Sequence, residues 1–362
     1  MTTTAVDVVS GVSGLPIDAW DRLAGPENFF LSSGWLAVVE ATSGAEIRYL
    51  LDGLLDAGLA TAVATPPSPW LSGRPDTLLD RAVRERWPGS LALRAKLPDD
   101  LAAALLPGIV CGGRHLGRTR PLLAGDRGDE EARIGRLVHA AEELADRSAA
   151  RSVSFLYVDE RDLALRTVLT ERGYDAFESG RYSWLPVPAG GLTEHVAGLS
   201  AHRARRIRAE IRQLAGAGVV SDIEPLSAGL IPRLAELEAQ LLRKYGMDWS
   251  AAQSAAVLVS ILEHLGAHAL LSTVRIDREL VGFGLILRHH DQWYAHRAGF
   301  DYAAQGPLPL YFQALYYGPI DAAAAAGIRT IHYGTGSVEA KRARGCRSTG
   351  QFSYLRSMRG DR

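Results

Sequence analysis

The sequence predicts an α/β chain of the α+β kind, built from two tandem copies of one fold, each a mixed central sheet flanked by helices. Three observations predict it. The chain has 362 residues and 47% hydrophobic content, enough for two domains that each bury a core. An order of strand, helix, strand, helix, strand occurs twice, and internal repeats decide the architecture before any single element does. Both occurrences close alike, with a helix stopped by glycine and then a strand: ERGYDAF…RYSWLPV and RARGCRS…QFSYLRS.

The first copy opens with a strand at Ala5–Val9, helices around Trp20 and Trp35, and a strand pair before Ser68. HLGRTRPLLAGD then reads as a strand. Glu130–Ala150 carries Ile134, Leu137, Val138, Ala141 and Leu144 at helical spacing. A buried strand (Ser152–Val158), a helix (Asp162–Arg172) stopped by Gly173, and a strand (Arg181–Val187) complete it. The Pro/Gly-rich PVPAGG marks the boundary, dividing residues 1–188 from 190–362. The second copy opens with an Arg-rich helix (Ala201–Ala215), followed by helices at Pro232–Tyr245 and Ala251–Leu265. A hairpin, Ala269–Arg275 with Glu279–Arg288, turns at Ile276–Arg278 and shows period-2 alternation. A strand (Gln292–Phe300), one helix from about Leu308 to Ala326, a short strand (Thr330–Tyr333), a helix (Val338–Arg344) and a last strand (Gln351–Arg356) follow.

Composition excludes several classes. With 40 basic and 41 acidic residues the net charge is -1, so there is no bulk attraction to nucleic acid or an anionic membrane. Cys111 and Cys346 cannot build a disulfide framework or a cysteine zinc site. MTTTAVDVVSGVSG lacks the pattern of a signal peptide, and the apolar stretches Leu50–Val63 and Ala322–Ile328 are too short or interrupted to span a bilayer. A cytoplasmic protein without a membrane span is expected.

Three segments resemble a known family. Gly25–Gly44 is similar to an N-terminal "N-P-F…Leu-x-x-Leu-Glu" helix, Leu199–Val219 to an "R-x-x-R-x-x-R…A-G-V" helix, and Gly327–Cys346 to a "Gly-x-Gly…Lys-x-x-x-Gly" block. The ordered set resembles the FemAB-like group of double-GNAT acyltransferases, the peptidoglycan biosynthesis or recognition type. That resemblance implies tandem GNAT domains. The candidate residues below place the active site in the second copy. The first, which has no comparable arginine cluster and no phosphate-loop character at Asp126–Asp129, is expected to be a scaffold. The resemblance implies N-acyl transfer to an amine, from acyl-CoA as co-substrate with no bound cofactor, or from aminoacyl-tRNA. The sequence departs from the family twice. Gln305–Pro309, where a GNAT phosphate loop would stand, keeps one glycine and has two prolines that donate no N–H. No heptad run supplies the helical arm of tRNA-dependent members. We therefore expect an acyltransferase of groups other than aminoacyl, acting by direct attack on a small polar amine. An aminoacyl-tRNA-dependent transferase and a non-catalytic binding protein are the alternatives.

Acyl transfer to an amine needs a base, donors for the developing oxyanion and a proton for the leaving group. IHYGTGSVEAK supplies candidates: Tyr333 as proton donor, Glu339 as base, Ser337 and Lys341 as substrate contacts, with Gly334 and Gly336 turning the backbone so that N–H groups are exposed. A plain strand–helix turn capped by Ser337 would use the same residues. On Gln292–Phe300, strict alternation puts Tyr294, His296 and Ala298 on one face, so His296 is a candidate base and Gly299 a donor contact. His289 and His290 fall in a turn, and the histidines lack metal-ligand spacing. Gly306, Leu308 and Tyr311 are donor-binding candidates after that strand, while Tyr316 and Tyr245 are candidates for the acceptor pocket. Arg205, Arg208 and Arg212 share a helix face beside Arg206, and Arg206 is assigned to the donor's phosphates. No aromatic interleaving supports sequence-specific DNA or RNA binding; tRNA enters only with the alternative donor.

Overall fold

The computed structural model describes residues 6–53, 55–66, 73–112, 118–125 and 129–358. It divides into two compact units, one of residues 1–182 with 349–362, the other of residues 183–348. The sequence boundary at 188/190 thus falls within a few residues of the first crossing, but the last strand returns to the first unit. The repeat pattern could not reveal this, because a terminal strand has the same period in either sheet.

The first unit contains β1 (Val6–Ser10), α1 (Ile17–Ala24), α2 (Ser33–Ser43), β2 (Ile47–Asp52), β3 (Ala57–Ala64), α3 (Pro75–Arg84), α4 (Ser90–Arg94) and α5 (Leu101–Leu105). Next come β4 (Gly108–Cys111), β5 (Leu122–Leu123), α6 (Glu130–Arg147), β6 (Ser152–Asp159), α7 (Leu163–Glu171) and β7 (Asp175–Pro186). The strand expected at His115–Asp126 is reduced to β5; residues 115–117 and 126 lie outside the described ones. Strands β1 to β4 pair antiparallel in sequence, β4 pairs parallel with β6, and Gln351–Ser357 of the last strand pairs antiparallel with β6. Helix α6 closes one face with the stripe read from the sequence: Ile134, Leu137, Val138, Ala141 and Leu144 pack on Leu50, Leu59 and Phe155.

The second unit contains α8 (Gly191–Ala197), α9 (Ala201–Gly216), β8 (Val220–Pro225), α10 (Ile231–Lys244), α11 (Ala251–Leu265), β9 (Ala269–Ile276), β10 (Glu279–His289) and β11 (Gln292–Phe300). Short helices α12 (Tyr302–Gln305) and α13 (Leu310–Phe312) lead into a π-helical segment, Gln313–Tyr317, and α14 (Gly318–Ala325). β12 (Thr330–Gly334), α15 (Val338–Ala343) and β13 (Arg347–Ser357) finish the chain. Local chemistry explains several boundaries. Helix α11 starts where Ser250 and Gln253 form a capping box. The β9–β10 hairpin turns on Asp277 and Arg278, both at positive φ as a two-residue primed turn requires.

The sheet order in this unit is β8-β9-β10-β11-β12, continued by Ser183–Pro186 of β7. Only β11 and β12 run parallel, and they pair over three residues, Gln292–Tyr294 with Thr330–His332. Beyond Tyr294, β11 pairs with β10 alone, and the two parallel strands part. Helices α10 and α11 cover one face, and the π segment with α8, α9 and α14 covers the other.

The single helix expected from Leu308 to Ala326 is instead broken into α13, the π segment and α14. Pro319 is the cause. It has no N–H for the carbonyl of Leu315 four residues back, and its ring crowds that carbonyl. The chain widens to a π turn just before it, and the Tyr333 hydroxyl donates to the orphaned Leu315 oxygen at 2.8 Å. The π segment also lies close on the sheet, because a Cβ on Gly284 would come within 2.9 Å of the Ala314 carbonyl.

Candidate active site

The site is built where β11 and β12 part, inside the second unit. After β12 the chain turns through Gly334 (φ 63), Thr335, Gly336 (φ 76) and Ser337 (φ 46) into α15. Buried Lys341 sits behind this turn and donates to three successive carbonyls, Tyr333 at 2.7 Å, Gly334 at 3.0 Å and Thr335 at 2.7 Å. In a trans peptide the C=O and the following N–H point in opposite directions. Drawing three carbonyls onto one ammonium therefore turns the amides of Gly334, Thr335 and Gly336 the other way. Of these, the Thr335 and Gly336 N–H groups, and next to them that of Ser337 at the α15 N-cap, have no acceptor among the described residues. The result is an edge of amide donors backed by a buried cation, an arrangement that favours an anion or oxyanion. Burial pushes the Lys341 pKa down from 10.5 to about 8.

Lys341 uses its three donors on the backbone, so it holds the turn and has none left for an acceptor. Tyr333 donates its proton to Leu315, stacks on Tyr316 at 4.5 Å, and has a pKa raised far above 10 by burial, which makes it a poor acid. Glu339 is exposed and paired with Arg342 at 2.7 Å, a solvated ion pair outside the buried part of the site. Ser337 stands at the N-cap position without a side-chain capping bond, leaving the α15 amides uncapped.

His296 lies on the parting stretch of β11, but the alternation read from the sequence breaks there. Leu285 faces Arg297 while Ile286 faces Ala295, so His296 is the extra residue of a β-bulge. Tyr294 and Arg297 consequently share the α10 face, and Ala295 and Ala298 the π-segment face. Bulges re-aim side chains, and a half-buried histidine at the parting retains its candidacy as base. Gly299 has a packing role instead of a ligand role: a Cβ there would stand 2.4 Å from the Glu238 nitrogen, so it lets α10 lie on β11.

An aromatic wall runs from the surface inward. Tyr245 is 70% exposed at the end of α10, and Tyr316 is fully buried. Tyr311 lies 6.3 Å from Tyr316, its pKa pushed up to about 12 by burial. Cys346 borders the same cluster and burial raises its thiol to about 12, so it is no thiolate nucleophile. At the expected phosphate loop, Gly306 adopts positive φ, but Leu308, Leu310, Phe312 and Gln313 donate their N–H groups to Gln305, Leu308 and Pro309 carbonyls. Pro307 and Pro309 have none. The loop is a closed turn and offers little cradle for a pyrophosphate.

Helix α9 supplies what the loop lacks. Arg205, Arg208 and Arg212 are exposed on its outer face, opposite the buried Ala204, Ile207 and Leu214, with no ion-pair partner among the described residues. Gln213 of the same helix donates to the Pro307 carbonyl at 3.3 Å, which sets the stripe beside the loop. Arg206 differs from its neighbours, being paired with Glu210 at 3.0 Å. Sequence reasoning missed the hub that explains this. Glu210 also accepts two bonds from buried Arg344, at 2.9 and 2.6 Å, and the Tyr317 hydroxyl. Arg344 in turn stacks on Phe312, 3.5 Å from the ring centre. The only sequence signal for the hub was a lone glutamate inside an arginine-rich helix.

Parallel strands that part beside an amide-rich turn, in a chain of two compact units that each have parallel and antiparallel strand pairs, define a tandem GNAT fold. The family model for FemAB-like proteins, described as peptidoglycan biosynthesis/recognition, matches residues 117–360, and the chain belongs to that family. No curated protein matches the sequence. Among solved structures, FemX is similar over 97% of each chain with a TM-score of 0.64 and 10% identity. A tandem GNAT protein from the clavulanic acid biosynthesis pathway covers 99% of this chain and 100% of its own, at TM-score 0.54 and 12% identity. A conserved protein of unknown function from Bacteroides thetaiotaomicron VPI-5482 covers 94% and 97%, at TM-score 0.56 and 12% identity. At such identities the likeness is one of fold. No helix among the described residues is long and apolar enough to cross a membrane, and no group of three or more potential metal ligands occurs among them.

Proposed function

We propose that the second unit transfers an acyl group from a thioester, acyl-CoA or a carrier protein, to an amine of a small polar acceptor by direct attack. The observation that carries this reading is the Lys341-held turn. The amine nitrogen attacks the thioester carbonyl, and the oxyanion that forms is received by the Thr335, Gly336 and Ser337 amides. The C–S bond then breaks and the sulfur leaves as thiolate, while His296 accepts the proton from the new ammonium and returns it to that thiolate. The stretch of β11 beyond Tyr294, where β12 has parted from it, is suited to an extended donor arm alongside it. The first unit has acidic groups, Asp129, Glu130 and Glu131, at the start of α6, which disfavours a phosphate there and supports its reading as scaffold.

A second reading has aminoacyl-tRNA as donor. The α9 stripe favours it: Arg205 to Arg212 spans roughly 10 Å along the helix, suited to successive phosphates of one strand. Thermal-shift titration separates the readings. A ligand at about 100 Kd raises stability by about 2.7 kcal/mol. A shift with acetyl-CoA, longer acyl-CoAs or free CoA supports the thioester donor. A salt-sensitive shift with aminoacyl-tRNA and none with any CoA replaces it with the second reading.

A further inference from the structure

At the other edge of the second unit's sheet, a cavity of about 400 Å³ opens between β8, β9 and the helices α8, α9 and α14. It lies away from the parting of β11 and β12. Two strands, β10 and β11, stand between β9 and β12, about 14 Å at ~4.8 Å per strand. Its volume is in the range of small-molecule sites.

The lining is polar and specifically oriented. Ser221 Oγ accepts from Gln313 Nε2 at 2.7 Å, which fixes Ser221, and with it Ile223, on the π-segment face. Ser272 pairs with Ile223 and with Gly284, so its hydroxyl points to that same face. Ser272 is fully buried and its Oγ has no hydrogen-bond partner among the described residues. An orphaned buried hydroxyl is unfavourable unless something else fills its valence. At the rim, Asp321 Oδ1 accepts the Leu192 N–H at 2.7 Å, and Oδ2 has no partner among the described residues. Asp222 points to the opposite face with Glu224 and lends only backbone. No lysine, arginine or histidine lines the cavity, so its charge is negative. Leu192, Ile211 and Ala322 complete it with apolar surface.

We propose that this cavity binds a small hydroxylated amine in its cationic form. The ammonium donates to Asp321 Oδ2 and Gln313 Oε1, and ligand hydroxyls meet Ser272 and Ser221. The site is independent of the acyl-donor reading, because none of these residues belongs to the amide turn or to the parting strands.

Calorimetric titration of the full chain with glucosamine, glucose and glucuronate tests it at about pH 6, where the amine is charged and the three sugars differ chiefly in charge. Glucosamine is expected to bind saturably, glucose roughly fivefold more weakly, as an exposed ion pair contributes, and glucuronate not at all. Asp321→Asn should remove the preference for the amine. Because Asp321 also accepts a backbone N–H, a second variant guards against misfolding. Gly318 has helical φ and ψ, and a Cβ there would stand 3.4 Å from Ser221 Oγ, so Gly318→Ala folds and narrows the cavity. It should weaken glucosamine and glucose alike. No saturable glucosamine binding, equal binding of the three sugars, or binding that neither variant alters overturns the proposal.

Discussion

Lys341 shows how one side chain can shape a site without touching a substrate. Its ammonium gathers three carbonyls and so presents the opposite amides. Lys341→Met leaves those carbonyls without a donor, and a loss of about 2–4 kcal/mol is expected in denaturant unfolding. The pH dependence has a definite sign. The folded pKa, about 8, lies below the ordinary 10.5, so between these values the folded state binds fewer protons than the unfolded state. This group therefore adds stability as pH rises from about 8 to 10, and the difference between wild type and Lys341→Met should change across that window. The α9 arginines behave differently. Exposed and unpartnered, Arg205, Arg208 and Arg212 can be changed together to glutamine with a stability change within about 1 kcal/mol. Under either donor reading the triple variant should bind its phosphate-bearing donor more weakly, with a shallower salt dependence.

At the level of elements, close backbone approaches position the site. Gly299→Ala drives a Cβ into the α10 backbone and should cost about 2–4 kcal/mol, whereas Gly229→Ala, with nothing within 4 Å, should stay within about 0.5. Thermal unfolding of the pair checks this. Tyr333→Phe strips the donor from the Leu315 carbonyl and should cost about 1–2 kcal/mol while leaving turnover largely intact. A collapse of turnover with unchanged KM would restore Tyr333 as a catalytic acid. Strong periodicity made α6, α11, β11 and the β9–β10 hairpin legible in the sequence. The bulge at His296 was not, since an inserted residue leaves the composition of a strand unchanged and shifts only its register. The π segment had a visible cause in Pro319, but its consequence required knowing that Tyr333 could satisfy the freed carbonyl. At the turn the glycines were legible, and the direction of Lys341 was not. Side-chain direction depends on α15 packing back against β12.

On the scale of the whole chain, the first unit is completed by residues from the C-terminus. Gln351–Ser357 pairs with β6, Tyr354 joins the first unit's core, and Gln351 Nε2 donates to the Tyr157 carbonyl at 3.2 Å. Deleting residues 349–362 should therefore destabilise the first unit, read as loss of its cooperative unfolding and rapid proteolysis within residues 6–182. Cutting the chain at 188 should not yield a stable N-terminal fragment, although the repeat pattern suggests it. Amide NMR of protein labelled at threonine, glycine and serine reads the turn after β12. On titration with the acyl donor that binds, the largest shifts are expected at the Thr335, Gly336 and Ser337 amides, growing with donor occupancy. Donor binding that leaves those three amides unmoved while others shift would contradict their role as oxyanion donors.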